Sequence, residues 1–391
     1  MEIVTKPTEK QDKSLITPSL SPSVTNRLAE IDWSFTNRSK APAIESIHPY
    51  PAKFIGDIPR NFIEQLSLPP ETKVLDPFCG SGTTLVEAQR AGLTAVGIDL
   101  NPIACLLSRV KTSEMHPDFG SVVTEIINIA KEVKSLPPSC IPNVNHWFKT
   151  DIQQAVAGLA QTIAHENYTP WLDLLRLTLS SILVRVSNQD SDTRYAAVEK
   201  KVGRDEVFEY FAAAALKLEN ALKNRNWSLP SVHVIEGNTL KIKPEQVGKN
   251  IGLIVTSPPY PNAYEYWLYH KYRMWWLGFD PISVKEQEIG ARAHFFKKNA
   301  HTADSFVDQM RGTFSLIDSV LVKNGFICFV VGRSKIHGKI VDNGDIIQRV
   351  AHEQGLKLET RFERVIKASR KSFNLSHANI KTETMLVFQK N

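Results

Sequence analysis

Two short segments of this sequence hold residue types that could do chemistry together. In Val74-Leu75-Asp76-Pro77-Phe78-Cys79-Gly80-Ser81-Gly82-Thr83-Thr84-Leu85, two glycines stand one apart where an apolar run gives way to a helical pattern. That arrangement lets backbone approach a nucleotide-like ligand closely. The third glycine of a dinucleotide fingerprint is missing and no Gly-Lys-Ser/Thr occurs in the chain, which weighs against NAD and against a P-loop nucleotide. Asp76 weighs against phosphate too. A carboxylate beside the loop repels a pyrophosphate but suits a cation, and S-adenosylmethionine carries both an ammonium and a sulfonium. The next apolar run ends at Asp99, 19 residues beyond Gly80, where an acid can accept both hydroxyls of a ribose. A plain helix-capping turn with incidental glycines would leave these two acids unexplained.

The second segment is Ile254-Val255-Thr256-Ser257-Pro258-Pro259-Tyr260-Pro261. Two consecutive prolines cannot continue a central strand, so the chain leaves the sheet here with fixed φ. The carbonyl of Pro258 need not pair within the ladder, and with the Ser257 hydroxyl it makes two adjacent acceptors, as an exocyclic NH2 group requires. Tyr260 offers a face on which a flat ring can stack. A proline-rich surface turn is the alternative, and the glycine loop makes it the weaker one.

At these residues the sequence resembles the S-adenosylmethionine-dependent amino methyltransferases acting on DNA, specifically the cytosine-N4 group. Asp76-Pro77-Phe78-Cys79-Gly80-Ser81-Gly82-Thr83-Thr84 is similar to their cofactor motif, and Thr256-Ser257-Pro258-Pro259-Tyr260 to their catalytic motif. His48-Pro49-Tyr50-Pro51-Ala52-Lys53-Phe54 is similar to the segment that closes over the methionine part of the cofactor, and Asp99 to their ribose-binding acid. The resemblance therefore implies a cofactor site formed by Tyr50, Lys53, Asp76, Pro77, Phe78, Gly80, Gly82, Thr83, Asp99, Leu100, Asn238 and Thr256. It implies catalysis by Ser257, Pro258, Pro259 and Tyr260, with double-stranded DNA as partner. Three departures stand out. The glycine motif precedes the Ser-Pro-Pro-Tyr motif, the reverse of most members with this motif form, so target-recognition positions do not carry over. Gly237-Asn238 puts an amide where the third strand usually supplies an acid, and no segment outside the core matches a recognition domain.

The chemistry follows from the target. A cytosine amino nitrogen is a poor nucleophile because its lone pair is conjugated with the ring. Accepting both of its hydrogens on Ser257 Oγ and the Pro258 carbonyl favours a pyramidal nitrogen and in-line transfer, with neither a metal nor a covalent enzyme intermediate required. The base must be flipped out of a duplex to be reached. Methylation at the five-carbon of cytosine would need a Pro-Cys nucleophile, which is absent, and Cys79 reads as packing. Adenine N6, an RNA base amino group, and a non-catalytic nucleic-acid-binding protein retaining the fold stay open as alternatives.

Positioning these segments requires a sheet. Val74–Phe78, Ala95–Asp99, Val232–Glu236, Ile251–Thr256 and Phe326–Val331 read as buried strands alternating with helical patterns, and Leu358–Ile366 with Thr384–Gln389 as a closing antiparallel pair. The expectation is an α/β, Rossmann-like class I methyltransferase with a mostly parallel seven-stranded sheet. About 130 residues separate the second and third strands, far beyond one crossover helix. Amphipathic stretches at Trp171–Val186 and Val207–Ala221 mark a helical insertion there. The organisation reads as a flexible arm over 1–30, a cofactor-binding half over 31–115, the insertion over 116–230 and a catalytic half over 231–391.

The 391 residues carry 47 basic and 41 acidic side chains, 47 − 41 = +6, with 42% hydrophobic residues. That is ordinary globular composition with only a mild lean toward a polyanion. No apolar run approaches the ~20 residues of a bilayer span and Met1–Lys6 lacks a leader's apolar core, so the chain reads as cytoplasmic. The four cysteines fit neither a zinc motif nor a disulfide framework. Between Tyr260 and Trp276 lie eight aromatics, most of them expected in the core, with Tyr260 and Tyr264 as candidates for a base-pocket wall. DNA contacts are expected from Arg292, Lys297, Lys298, Arg370 and Lys371, in two basic stretches that could equally be solvated loops. No nuclease signature is evident, so a cognate restriction endonuclease would be a separate protein.

Overall fold

The computed structural model describes residues 23–36, 41–51, 53–192, 194–261, 265–296, 300–366 and 382–391. Its main sheet has seven strands: β1 (Lys73–Asp76), β2 (Ala95–Asp99), β3 (Val232–Glu236), β4 (Ile251–Thr256), β5 (Leu321–Val331), β6 (Lys357–Val365) and β7 (Thr382–Gln389). They lie in the order β6-β7-β5-β4-β1-β2-β3. The five strands from β3 to β5 are parallel, while β7 runs antiparallel to both β5 and β6. Every residue of β4 is buried, as a central strand covered on both faces must be. The helices used below are α1 (Asp57–Gln65), α2 (Thr83–Arg90), α3 (Pro102–Thr112), α4 (Phe119–Glu132), α5 (Thr150–Ile163), α6 (Leu172–Val186), α7 (Arg204–Lys223), α8 (Tyr266–Trp276), α9 (Ala303–Val320) and α10 (Asn343–Glu353). Among the described residues no helix is long and apolar enough to cross a membrane.

The pleat sends successive strand residues to opposite faces. Leu75, Ile254, Ile327, Phe329 and Leu386 meet Phe314, Ile317 and Ile347 of α9 and α10. Val74, Leu253, Val255, Cys328, Val330 and Met385 meet Phe62 and Leu85 of α1 and α2. A third core joins α3 to α4, α5, α6 and α7, and includes Tyr272, Trp275 and Trp276 of α8. The helices between β2 and β3 thus share one core with the catalytic half.

The structure departs from the sequence reading in detail. Val24–Ala29, assigned to a flexible arm, is a short helix whose Leu28 is 1% exposed and whose Leu28 carbonyl accepts from the Trp33 indole at 2.9 Å. Residues 1–22 lie outside the described residues. Strand β5 starts at Leu321 rather than Phe326, because exposed Lys323 and Asn324 mask its first turn of alternation. The antiparallel pair Gln189–Ser191 with Arg194–Ala197 and the hairpin Arg333–Asp342 have no apolar alternation to announce them.

Candidate active site

The sheet order reverses direction between β1 and β4, and the crevice beyond their carboxyl ends is where an open α/β sheet binds ligands. Asp76, the last residue of β1, is 3% exposed. Its Oδ1 accepts from the hydroxyl of Thr256, the last residue of β4, at 2.6 Å and from the Phe78 N–H at 3.1 Å. Burial outweighs these bonds and pushes the carboxyl up to about 6. Asp99, at the end of β2, accepts from the Gly80 N–H and the Asn101 N–H, each at 2.8 Å. Burial likewise pushes it up to about 6. Both acids therefore hold the loop while carrying a charge that their surroundings disfavour without a cation.

The loop backbone is held from four sides. The Cys79 N–H donates to the Ile98 carbonyl at 2.9 Å, and the hydroxyl of Thr239, beyond β3, donates to the Pro77 carbonyl at 2.6 Å. From α3, the Ser108 hydroxyl reaches the Gly80 carbonyl at 3.0 Å and the buried Lys111 ammonium reaches the Ser81 carbonyl at 2.8 Å. Gly82 has φ +75°, and a Cβ there would stand 2.7 Å from Ser108 Oγ, so only glycine allows this approach. Pro77 and Thr83 are buried, while Phe78 and Leu100 are half-buried beside the loop. Cys79 is 4% exposed with its thiol pushed well up by burial, which makes it a packing residue.

The other expected cofactor residues surround this loop. Tyr50 stacks on His270 at 5.1 Å and on Tyr266 at 5.8 Å, with its hydroxyl beside Gly80. Burial first and Asp99 second keep that phenol protonated. Lys53 donates to the carbonyls of Glu45 at 2.6 Å and His48 at 3.1 Å, tying its own segment together. Asn238 follows β3, where the Gly237 N–H bonds the Asp99 carbonyl at 2.8 Å, and its own Oδ1 accepts from the Leu240 N–H at 3.0 Å.

Across the crevice, Pro258 is buried and Ser257, Pro259 and Tyr260 are half-buried. Ser257 Oγ and the Tyr260 hydroxyl lie 3.2 Å apart. The single hydrogen of that hydroxyl has the Val330 carbonyl at 3.4 Å and Glu383 Oε1 at 3.3 Å as acceptors. Glu383 is in turn paired with the buried Arg364 at 2.7 Å. Of the later aromatics, Trp267, Tyr272, Trp275 and Trp276 are all buried; Tyr264 lies outside the described residues. Arg292 is exposed, its guanidinium 5.4 Å from the ring of Phe296, which is exposed too. Lys297, Lys298, Arg370 and Lys371 lie outside the described residues. Val365 and Thr382, which flank the second basic stretch, pair at the same sheet end as Tyr260. Sequence reasoning missed Ser108, Lys111, Thr239 and Glu383, which carry no motif and act only through space.

This acid-flanked cradle facing a proline-locked strand end fits a cationic nucleotide. The chain belongs to the DNA methylase family N6_N4_Mtase, which residues 2–109 and 251–391 match. The cofactor that goes with this family is S-adenosylmethionine. The chain is 25% identical over 254 residues to the type II methyltransferase M.MvaI of Kocuria varians, covering 59% of this chain and 56% of that protein. It is 26% identical over 282 residues to the type II methyltransferase M.BsoBI of Geobacillus stearothermophilus, covering 62% and 55%. It thus spans about half the length of these relatives. The rRNA methyltransferase AviRa of Streptomyces viridochromogenes is similar at 11% identity with a TM-score of 0.35, over 94% of this chain and 96% of that one.

Proposed function

We propose that the chain is a site-specific DNA methyltransferase that methylates the N4 amino group of cytosine in duplex DNA. The observation that carries this reading is the 2.6 Å bond from Thr256 to Asp76. It fastens the strand end bearing Ser257 and Pro258 to the strand end bearing the nucleotide cradle. S-adenosylmethionine, when bound, supplies an electrophilic methyl group. Asp76 and Asp99 hold the cationic cofactor, and Ser257 Oγ and the Pro258 carbonyl accept the two hydrogens of a flipped base's amino group. Their acceptance localises the nitrogen lone pair, so Ser257 raises nucleophilicity without becoming a nucleophile itself. Tyr260 flanks the base, and Arg292, Lys297, Lys298, Arg370 and Lys371 meet DNA phosphates or bases. Residues 116–230 are a helical insertion on the catalytic domain. The type II methyltransferases among the relatives support a restriction-modification setting with a separate endonuclease.

The test is incubation with methyl-labelled S-adenosylmethionine and mixed-sequence duplex DNA, then digestion to nucleosides and mass identification. N4-methylcytosine is the expected product. N6-methyladenine would keep the amino chemistry and overturn the base assignment. No label in DNA, with cofactor binding intact, would overturn the DNA substrate and move the search to RNA.

A further inference from the structure

The segment after the helix Pro281–Gln287 touches both ends of the chain that joins the Ser-Pro-Pro-Tyr motif to α8. Glu288 is 7% exposed, and its Oε1 and Oε2 accept the backbone N–H groups of Tyr266 at 2.7 Å and Trp267 at 3.0 Å. These are orphan donors of the first turn of α8, whose own N-cap, Glu265, makes no side-chain cap bond to them. The carboxyl group that satisfies them comes instead from more than 20 residues away. Two residues on, Gly290 has φ +74°, and a Cβ there would stand 2.6 Å from the carbonyl oxygen and 2.9 Å from the carbonyl carbon of Tyr260. Ile289 between them is buried in the sheet core and Ala291 is 0% exposed. The Ala293 N–H adds a 3.2 Å bond to Glu265. One stretch anchored in the core therefore abuts Tyr260 and Pro261 on one side and, on the other, caps Tyr266 and Trp267 and donates to Glu265.

Resting on the methyltransferase reading above, we propose that Glu288 and Gly290 are positioning residues, a clamp that fixes where the Ser257–Tyr260 acceptors stand relative to the cofactor cradle. Gly290 sets the clamp's closest approach, because any side chain would push the Tyr260 carbonyl away. Glu288 sets the origin of α8, whose Tyr266 packs on Tyr50. Burial, with Glu265 and Asp99 as lesser causes, pushes the Glu288 carboxyl up to about 8. Such a buried acid is a cost that the caps alone do not need, since a Ser or Asp at the helix start would serve.

The variants are Gly290→Ala and Glu288→Gln, the second keeping the side chain's shape and one strong acceptor. Hydrogen exchange of peptides spanning 257–268 reads the clamp without any turnover, and methyl transfer with cofactor affinity reads its consequence. Gly290→Ala is expected to lower kcat by about 100-fold, the cost of misplacing reacting groups by about an ångström. KM for DNA and cofactor affinity should stay within about threefold. Glu288→Gln is expected to speed exchange at Tyr266 and Trp267 by about tenfold, with a smaller loss of kcat; it keeps the test open should Gly290→Ala fail to fold. Unchanged exchange in the 257–268 peptides of both variants overturns the clamp, as does a kcat within twofold of the parent. A parent chain that methylates no nucleic acid overturns the methyltransferase reading instead, and the exchange measurement still shows whether the clamp exists.

Discussion

The two loops that face each other across the crevice are built on opposite plans. The backbone of the glycine loop, residues 76–83, is held by hydrogen bonds from the end of β2, the turn after β3 and α3, through Asp99, Thr239, Ser108 and Lys111. The Ser257–Tyr260 loop takes its shape from proline φ angles and from contacts at its far end, where Tyr260 meets Val330 and Glu383. Glycine needs external bonds because it has no intrinsic conformation, whereas proline brings its own. On the proposed function the two have separate jobs: Asp76 at the head of the first loop and Asp99 beside it face a cation, and the second loop keeps acceptors available for a base. Lesions in the first should appear in cofactor affinity, and lesions in the second in the rate of transfer.

The largest effect is expected from Ser257→Ala, which should lower methyl transfer about 100-fold or more while the cofactor dissociation constant stays the same. A parallel loss of cofactor affinity, measured by calorimetry, would break the division of labour. Asp99→Asn should weaken cofactor binding by about 10- to 100-fold, the value of hydrogen bonds to a charged group, with kcat at saturating cofactor reduced far less. The same acids predict a pH dependence. With both carboxyls raised to about 6, binding a cation favours their charged forms, so affinity should climb as pH rises to about 6 and level off above it. A flat titration from pH 5 to 8 would sink that account.

An acid whose folded pKa is raised costs stability in its charged form, so the penalty at Asp76 is absent below the ordinary carboxylate range and complete above about 6. Asp76→Asn should therefore raise the melting temperature of the cofactor-free chain at pH 8, leave it unchanged near pH 3, and weaken cofactor binding. A lower melting temperature at pH 8 would mean that the bonds from Thr256 and Phe78 outweigh the buried charge. Smallest of all, Arg292→Ala should reduce the slope of log DNA affinity against log salt by about one if its guanidinium meets a phosphate. An unchanged slope would remove the Arg292–Phe296 pair from the interface.

Much of the sheet is legible from the chain alone, because β1, β2 and β4 are buried on both faces and appear as continuous apolar runs. The edges are less so. Lys323 and Asn324 hide the start of β5, and the polar pair 189–191 with 194–197 and the hairpin 333–342 leave no period to follow. The Val24–Ala29 helix is invisible because its anchor, Leu28 against Trp33, is a contact rather than a pattern.

The same line divides the site. The glycine turn, the proline exit and the acid that ends β2 can be read in the chain, since each is a property of backbone conformation or of a few adjacent residues. Folding alone brings Thr256 to Asp76 across 180 residues of chain, Lys111 to Ser81, and Glu383 to where it accepts from the Tyr260 hydroxyl. Gly290 belongs with them, an unremarked glycine in sequence that in space stands against the Tyr260 carbonyl. The reason is that these partners are set by packing, with β4 beside β1 and β7 beside β5 for Thr256 and Glu383, and by how a helix and a loop lie against the sheet for Lys111 and Gly290. Which strand lies beside which is a property of the packed sheet and not of any local stretch of residues.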